Sequence, residues 1–152
     1  MTIPTKTVEL APGIVWVGVE DWQRRIFDAL IPLPYGTSYN AYLVVGEQKT
    51  APIDTANPGF EEELLAKIAT VAEPERLDYV VMNHAEPDHA AAIPQVLAAA
   101  PNAKLVATKK GAEMAQLFYH VPQQRRLVVE DSDTIDLGGK TLRFIEAPWL
   151  HW

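Results

Sequence analysis

A chain of 152 residues can build one domain with a real core, and 48% apolar against 22% charged residues marks it as globular. The formal net charge is −7 and basic residues gather only in isolated doublets such as Lys109-Lys110 and Arg125-Arg126, so no nucleic-acid partner is expected. The absence of cysteine excludes disulfides, thiolate zinc sites and thiol nucleophiles, and it agrees with a cytoplasmic setting.

The N-terminus carries Pro4, Lys6 and Glu9 and has no apolar signal core. No stretch reaches the roughly 18–20 apolar residues that cross a bilayer, so no membrane association is expected. Residues 8–10 read as a short first strand, closed by the Pro12-Gly13 turn. Ile14 through Val19 is rich in β-branched residues and predicts one strand. A turn at 21–24 leads to another predicted strand over 25–30, which ends in the exposed Pro32-Leu33-Pro34 connection. Residues 39–45 predict a strand, and a hairpin returns through 50–54. Pro52 in the returning strand predicts an edge or a bulge.

Asn57-Pro58-Gly59 opens a helix predicted to reach Val71, with Phe60, Leu64, Leu65, Ile68 and Val71 at helical spacing. Its early Glu61, Glu62 and Glu63 suit the positive end of the helix dipole and need no functional reading. Residues 77–82 predict a strand, 88–99 a helix, 104–107 a strand and 109–119 a helix. His120 falls at that helix's end, where a histidine complements exposed carbonyls. Residues 127–129 form a short strand, and 132–136 and 140–146 flank Leu137-Gly138-Gly139 as a hairpin. No internal repeat or linker interrupts the chain. Strands first and βα units after them predict a single layered α/β or α+β domain over 1–152.

The chemistry concentrates after the 77–82 strand, in Asn83-His84-Ala85-Glu86-Pro87-Asp88-His89-Ala90. Residues i, i+2 and i+4 of an extended loop project to one side, so His84, Glu86 and Asp88 are expected to converge, with His89 beside them. Mixed imidazole and carboxylate donors suit iron, manganese or zinc. Taken singly, Asp88 is a good helix N-cap and Pro87 is common at helix starts. Four donor residues so close together, directly behind a buried strand, favour a metal.

The stretch His84-x-Glu86-x-Asp88-His89 resembles the metal motif of the flavodiiron proteins, within the metallo-β-lactamase superfamily. Zinc hydrolases of that superfamily carry a second histidine where this chain has Glu86. The resemblance extends through Gly36-Thr37-Ser38-Tyr39-Asn40-Ala41-Tyr42-Leu43, Ile53-Asp54-Thr55, Leu137-Gly138-Gly139-Lys140-Thr141-Leu142 and Leu150-His151-Trp152. It implies half of a metallo-β-lactamase-like αβ/βα sandwich. It also implies that His84, Glu86 and His151 are ligands of one iron and Asp88 and His89 of a second. Asp54 resembles the acidic residue that supports such ligands through hydrogen bonds.

The family reduces dioxygen to water or nitric oxide to nitrous oxide. Its electrons come from FMN in a flavodoxin-like domain, within a head-to-tail homodimer, and are delivered by a redox partner such as rubredoxin or a reductase. Ala90-Ala91 stands where Ser-Gly is usual, and Pro52 lies in a strand that usually lacks it. The resemblance covers the N-terminal half of the metal domain, so the half supplying a bridging aspartate and a last histidine, and the flavodoxin-like domain, are expected to be absent. No Ser/Thr-rich phosphate loop follows the first strand, so FMN is not expected on these residues. The expectation is a piece of a flavodiiron reductase with iron partly held or absent. The alternative is a non-catalytic chain that folds by pairing with itself or with a missing half. A zinc hydrolase ranks last.

Overall fold

The computed structural model describes residues 3–148. The chain forms β1 (Val8–Ala11), β2 (Ile14–Trp16), β3 (Val19–Asp21), β4 (Ile26–Phe27), β5 (Ile31–Pro32), β6 (Thr37–Tyr39), β7 (Tyr42–Val45) and β8 (Thr50–Ile53). It continues through α1 (Glu61–Ala69), β9 (Tyr79–Val81), α2 (Pro87–Ala90), α3 (Ile93–Ala99), β10 (Lys104–Ala107), α4 (Lys109–Tyr119) and β11 (Arg126–Val128), and then the hairpin of β12 (Thr134–Asp136) and β13 (Thr141–Arg143). Seven strands make the main sheet, in the order β1-β2-β7-β8-β9-β10-β11. Pairing is antiparallel from β1 to β8 and parallel from β8 to β11. The parallel steps follow from helical crossovers, because two parallel strands cannot be joined by a tight turn.

Strand alternation separates two cores. Leu43, Val80 and Leu105 point to a face covered by Leu64 and Ile68 of α1 and by Ile93, Val96 and Leu97 of α3. Their neighbours Val44, Val81 and Val106 point to the opposite face, where Ile135 and Leu137 of the last hairpin region meet them. Such two-sided burial is why the 77–82 and 104–107 segments read as continuous apolar runs.

Two predicted strands break where the sequence pattern is unbroken. The ladder of β2 with β7 continues as β3 with β6, but in a separate sheet. The bend sits at Gly18, where a Cβ would collide with the Tyr39 carbonyl and the Trp16 indole. Glycine permits that close approach. Lys67 of α1, itself buried, fixes the bend: its Nζ donates to the Gly18 carbonyl at 2.6 Å and pairs with Glu63 at 2.8 Å.

The strand expected over 25–30 is a small hairpin instead. Asp28 and Ala29, with φ of 49° and 54°, form its turn, and Leu30 N–H donates to Phe27 C=O at 3.0 Å. Consecutive left-handed residues make a type I′ turn, usually marked by Asn-Gly, and Asp-Ala hides it.

Pro52 does not put β8 at an edge: β8 lies between β7 and β9. The amides of Thr50 and Asp54, two residues to either side, donate to the Asp78 carboxylate (2.8 Å) and the Val81 carbonyl (2.8 Å), on the flank facing β9. Pro52 faces the same flank, where Ile53 opposite Val81 is the single registered pair. The missing N–H therefore costs little ladder. Pro94 likewise divides the helix expected over 88–99 into α2 and α3, since proline clashes with the carbonyl four residues before it.

Candidate metal centre

The motif follows β9, held between β8 and β10. Glu86 is extended, with φ −68° and ψ 145°, and Pro87 supplies the first helical position of α2. The turn closes as the amides of His89 (3.0 Å) and Ala90 (2.9 Å) both donate to the Glu86 carbonyl. Asp88 and His89 thus ride on a helical turn, as the helix expected from residue 88 implies, and the extended spacing expected of His84, Glu86 and Asp88 ends at Glu86. The four side chains form two pairs in place of one row. His84 Nε2 lies 2.9 Å from Glu86 Oε2, and His89 Nε2 lies 3.5 Å from Asp88 Oδ2. The two imidazole centroids are 5.6 Å apart. All four side chains are half-buried.

Among the described residues, no three His, Asp or Glu side chains gather closely enough to hold an ion. His151 lies outside the described residues. His120 is exposed, as the left-handed cap of α4.

Asp88 Oδ1 and His89 Nδ1 are buried, yet neither has a hydrogen-bond partner. Buried polar atoms are nearly always satisfied, and an unsatisfied pair calls for an ion or another polar group. A carboxylate oxygen and an imidazole nitrogen are both good donors to a transition metal, so these residues fit a cation such as iron.

Three contacts hold the backbone of this loop. Asp54, at the end of β8 with a left-handed φ of 57°, accepts from Asn83 N–H at 2.7 Å and from its side-chain amide at 3.2 Å. Burial pushes the Asp54 carboxyl up, while the Asn83 hydrogen bonds and nearby His89 pull the other way. Thr55, fully buried, donates both its N–H (2.7 Å) and its hydroxyl (2.8 Å) to the His89 carbonyl. Tyr119 OH, from the last residue of α4, donates to the Ala85 carbonyl at 2.6 Å. Burial, and then the Asp88 and Glu86 carboxylates, push the Tyr119 hydroxyl pKa up.

Sequence reasoning singled out Asp54 but neither Thr55 nor Tyr119. Thr55 had a weak signal, as the next residue in Ile53-Asp54-Thr55. Tyr119 had none, because its partner is 34 residues away. An open groove of about 940 Å³ starts at Asn83, His84 and Ala85 and runs along Val81, Val106 and Phe144. Its walls are mainly apolar, with Thr108, Lys110, Glu130, Arg143 and Glu146 also on its lining.

A family model described as ODP family beta lactamase matches residues 37–152. The nitric oxide reductase of Moorella thermoacetica is 39% identical over 149 residues, covering 97% of this chain and 37% of that protein. Flavo-diiron protein FprA2 of Clostridium acetobutylicum is 39% identical over 146 residues, covering 95% of this chain and 36% of that protein. The crystal structure of the flavodiiron protein from Giardia intestinalis superposes with a TM-score of 0.91 at 38% identity, covering all of this chain and 37% of that one. The chain thus spans a little over a third of the length of these relatives. Its resemblance to flavodiiron proteins and its mixed α/β, metallo-β-lactamase-like fold are both borne out.

Proposed function

The chain belongs to the ODP family of beta lactamases, and from that premise we propose that it carries part of the metal centre of a flavodiiron oxygen or nitric oxide reductase. In this reading His84, Glu86 and His151 serve one iron, and Asp88 and His89 a second. The observation that carries it is the buried pair of unpartnered donor atoms, Asp88 Oδ1 and His89 Nδ1, inside the matched region. Relatives named as a nitric oxide reductase and as a flavo-diiron protein support the choice of iron and of this chemistry.

Iron held there would supply the redox chemistry for reducing dioxygen to water or nitric oxide to nitrous oxide, with electrons from FMN in a further domain. The chain's own residues bind and orient. Glu86 closes on His84 at 2.9 Å, which presets the spacing of those two donors. The α2 turn presents Asp88 and His89 together, and Asp54 and Thr55 fix the backbone on either side of them. The open groove leaves the motif accessible at its Asn83–Ala85 end.

A complementary half is proposed to complete the site, in a homodimer or hetero-complex served by a rubredoxin- or reductase-type electron donor in the cytoplasm. One solved relative, from Desulfovibrio gigas, is named rubredoxin oxygen:oxidoreductase.

Anaerobic loading with ferrous ion, followed by metal analysis, tests this directly. The chain should retain about one ion, and Glu86→Ala should lower retention roughly tenfold or more, since a sparse ligand set cannot spare a member. Equal retention by Glu86→Ala would discard the ligand set, and no retention by either chain would discard the metal centre. The paired grouping of donors among the described residues favours a second reading, a non-catalytic chain that associates with another. Light scattering, with the intact mass of any copurifying polypeptide, separates the two.

A further inference from the structure

We infer that Tyr119 is a positioning residue that locks the His84–Glu86 pair through the Ala85 carbonyl. Ala85 has no functional side chain, but its carbonyl lies in the peptide plane that joins it to Glu86. Turning that plane swings the Cα–Cβ direction of Glu86, and with it the carboxylate that meets the His84 imidazole at 2.9 Å. A single strong hydrogen bond of 2.6 Å, from Tyr119 OH, sets the plane.

The hydroxyl is well placed to act as a fixed point. Helix α4 is capped by Thr108, whose side chain accepts from Gly111 N–H at 3.2 Å directly after β10, so the helix register is tied to the sheet. The helix stops immediately after Tyr119, where His120 takes a left-handed φ of 54° and its N–H returns to the Ala115 carbonyl. Tyr119 is therefore the last residue held by the helix. Its ring is half-buried against the main core, as is Ala85. Asp54 and Thr55 grip the loop at Asn83 and His89, and Tyr119 supplies the third contact midway between them.

The effect on metal rests on the metal reading proposed above, whereas the effect on the loop does not, and the test reads both. Tyr119→Phe removes the hydroxyl and keeps the ring. Hydrogen exchange on the metal-free full chain should be at least about threefold faster at the amides of residues 89–91, which close the α2 turn, and unchanged at Ala112 at the start of α4. Titration with cobalt(II), followed by its visible absorption, should show about tenfold weaker binding by Tyr119→Phe. The melting temperature should stay within a few degrees of the unsubstituted chain. Leu117→Ser, on the exposed side of the same helix, should change none of these readouts.

Unchanged exchange at 89–91 would overturn the inference, whether or not cobalt binds. Faster exchange throughout α4, with a large fall in melting temperature, would also overturn it, as the mark of a merely structural role. Failure of the unsubstituted chain to bind cobalt, with local exchange still accelerated in Tyr119→Phe, would sink the metal reading and leave the loop assignment standing.

Discussion

The two faces of the seven-stranded sheet are made from alternate residues of the same strands, yet they differ in cover. On one face α1 and α3 bring Leu64, Ile68, Ile93 and Val96 to zero exposure, and that core runs from Val15 to Val121. On the other, a short hairpin contributes Ile135 and Leu137, Leu142 and Phe144 stay half-buried, and the groove opens beside them. Helices reach further than a two-stranded hairpin, so the same apolar alternation yields a sealed core on one side and an open trough on the other. The candidate metal loop lies where the two meet. It takes its rigidity from the sealed side and its access from the open side.

The largest test of that contrast is a pair of truncations. Leu64→Ala should cost about 3 kcal/mol, as a large-to-small change at a fully buried site. Leu142→Ala on the half-covered face should cost about 1 kcal/mol. Urea denaturation of both variants checks this, and equal losses would erase the distinction between the faces.

A second test uses pH on the sealed face. Tyr39, 3% exposed, donates to Asp21 Oδ2 at 2.9 Å and packs its ring 5.6 Å from that of Phe60. Burial, reinforced by the Asp21 bond, pushes its hydroxyl up to about 12. Because the folded value is raised, this contribution is full below the ordinary tyrosine range near 10 and is lost as pH rises through about 12. Melting curves from pH 9 to 12 should therefore fall more steeply for the unsubstituted chain than for Tyr39→Phe. Parallel curves would mean that Tyr39 is less sealed than its neighbours.

The smallest effect lies off both faces. Ala29, at φ 54° in the β4–β5 turn, bears a left-handed backbone without the freedom of glycine. Ala29→Gly should stabilise the chain by about 1 kcal/mol, measured by the same urea curves. A loss there would mean that this hairpin is not held in its observed turn.

Much of this architecture was legible in the sequence, for reasons that differ by element. The bounds of β10 and α4 agree with the predicted 104–107 and 109–119. A strand buried on both faces leaves a continuous apolar run, and Thr108 caps the helix next to it. The Gly138-Gly139 hairpin was equally clear, because both residues take positive φ, which glycine accepts without strain. The metal-type donors were legible as residue types in a short stretch. Their arrangement was not, because Pro87 starts a helical turn inside the motif and so separates the four donors into pairs. The central place of Pro52 was hidden for a related reason: it depends on which flank of β8 the missing amide would have served.

The sequence by itself determined the layered α/β class, the βα alternation after residue 57 and the metal-type side chains at 84, 86, 88 and 89. Each of these rests on local periodicity or composition, which a chain displays before it folds. The tertiary structure alone decided the bend at Gly18, made by Tyr39 and Trp16 closing on one α-carbon and by Lys67 reaching its carbonyl. It alone brought Thr55 and Tyr119 to the carbonyls of His89 and Ala85, each 34 residues distant. Such contacts join residues whose neighbours in sequence carry no trace of the partner, so only packing of the finished fold can specify them.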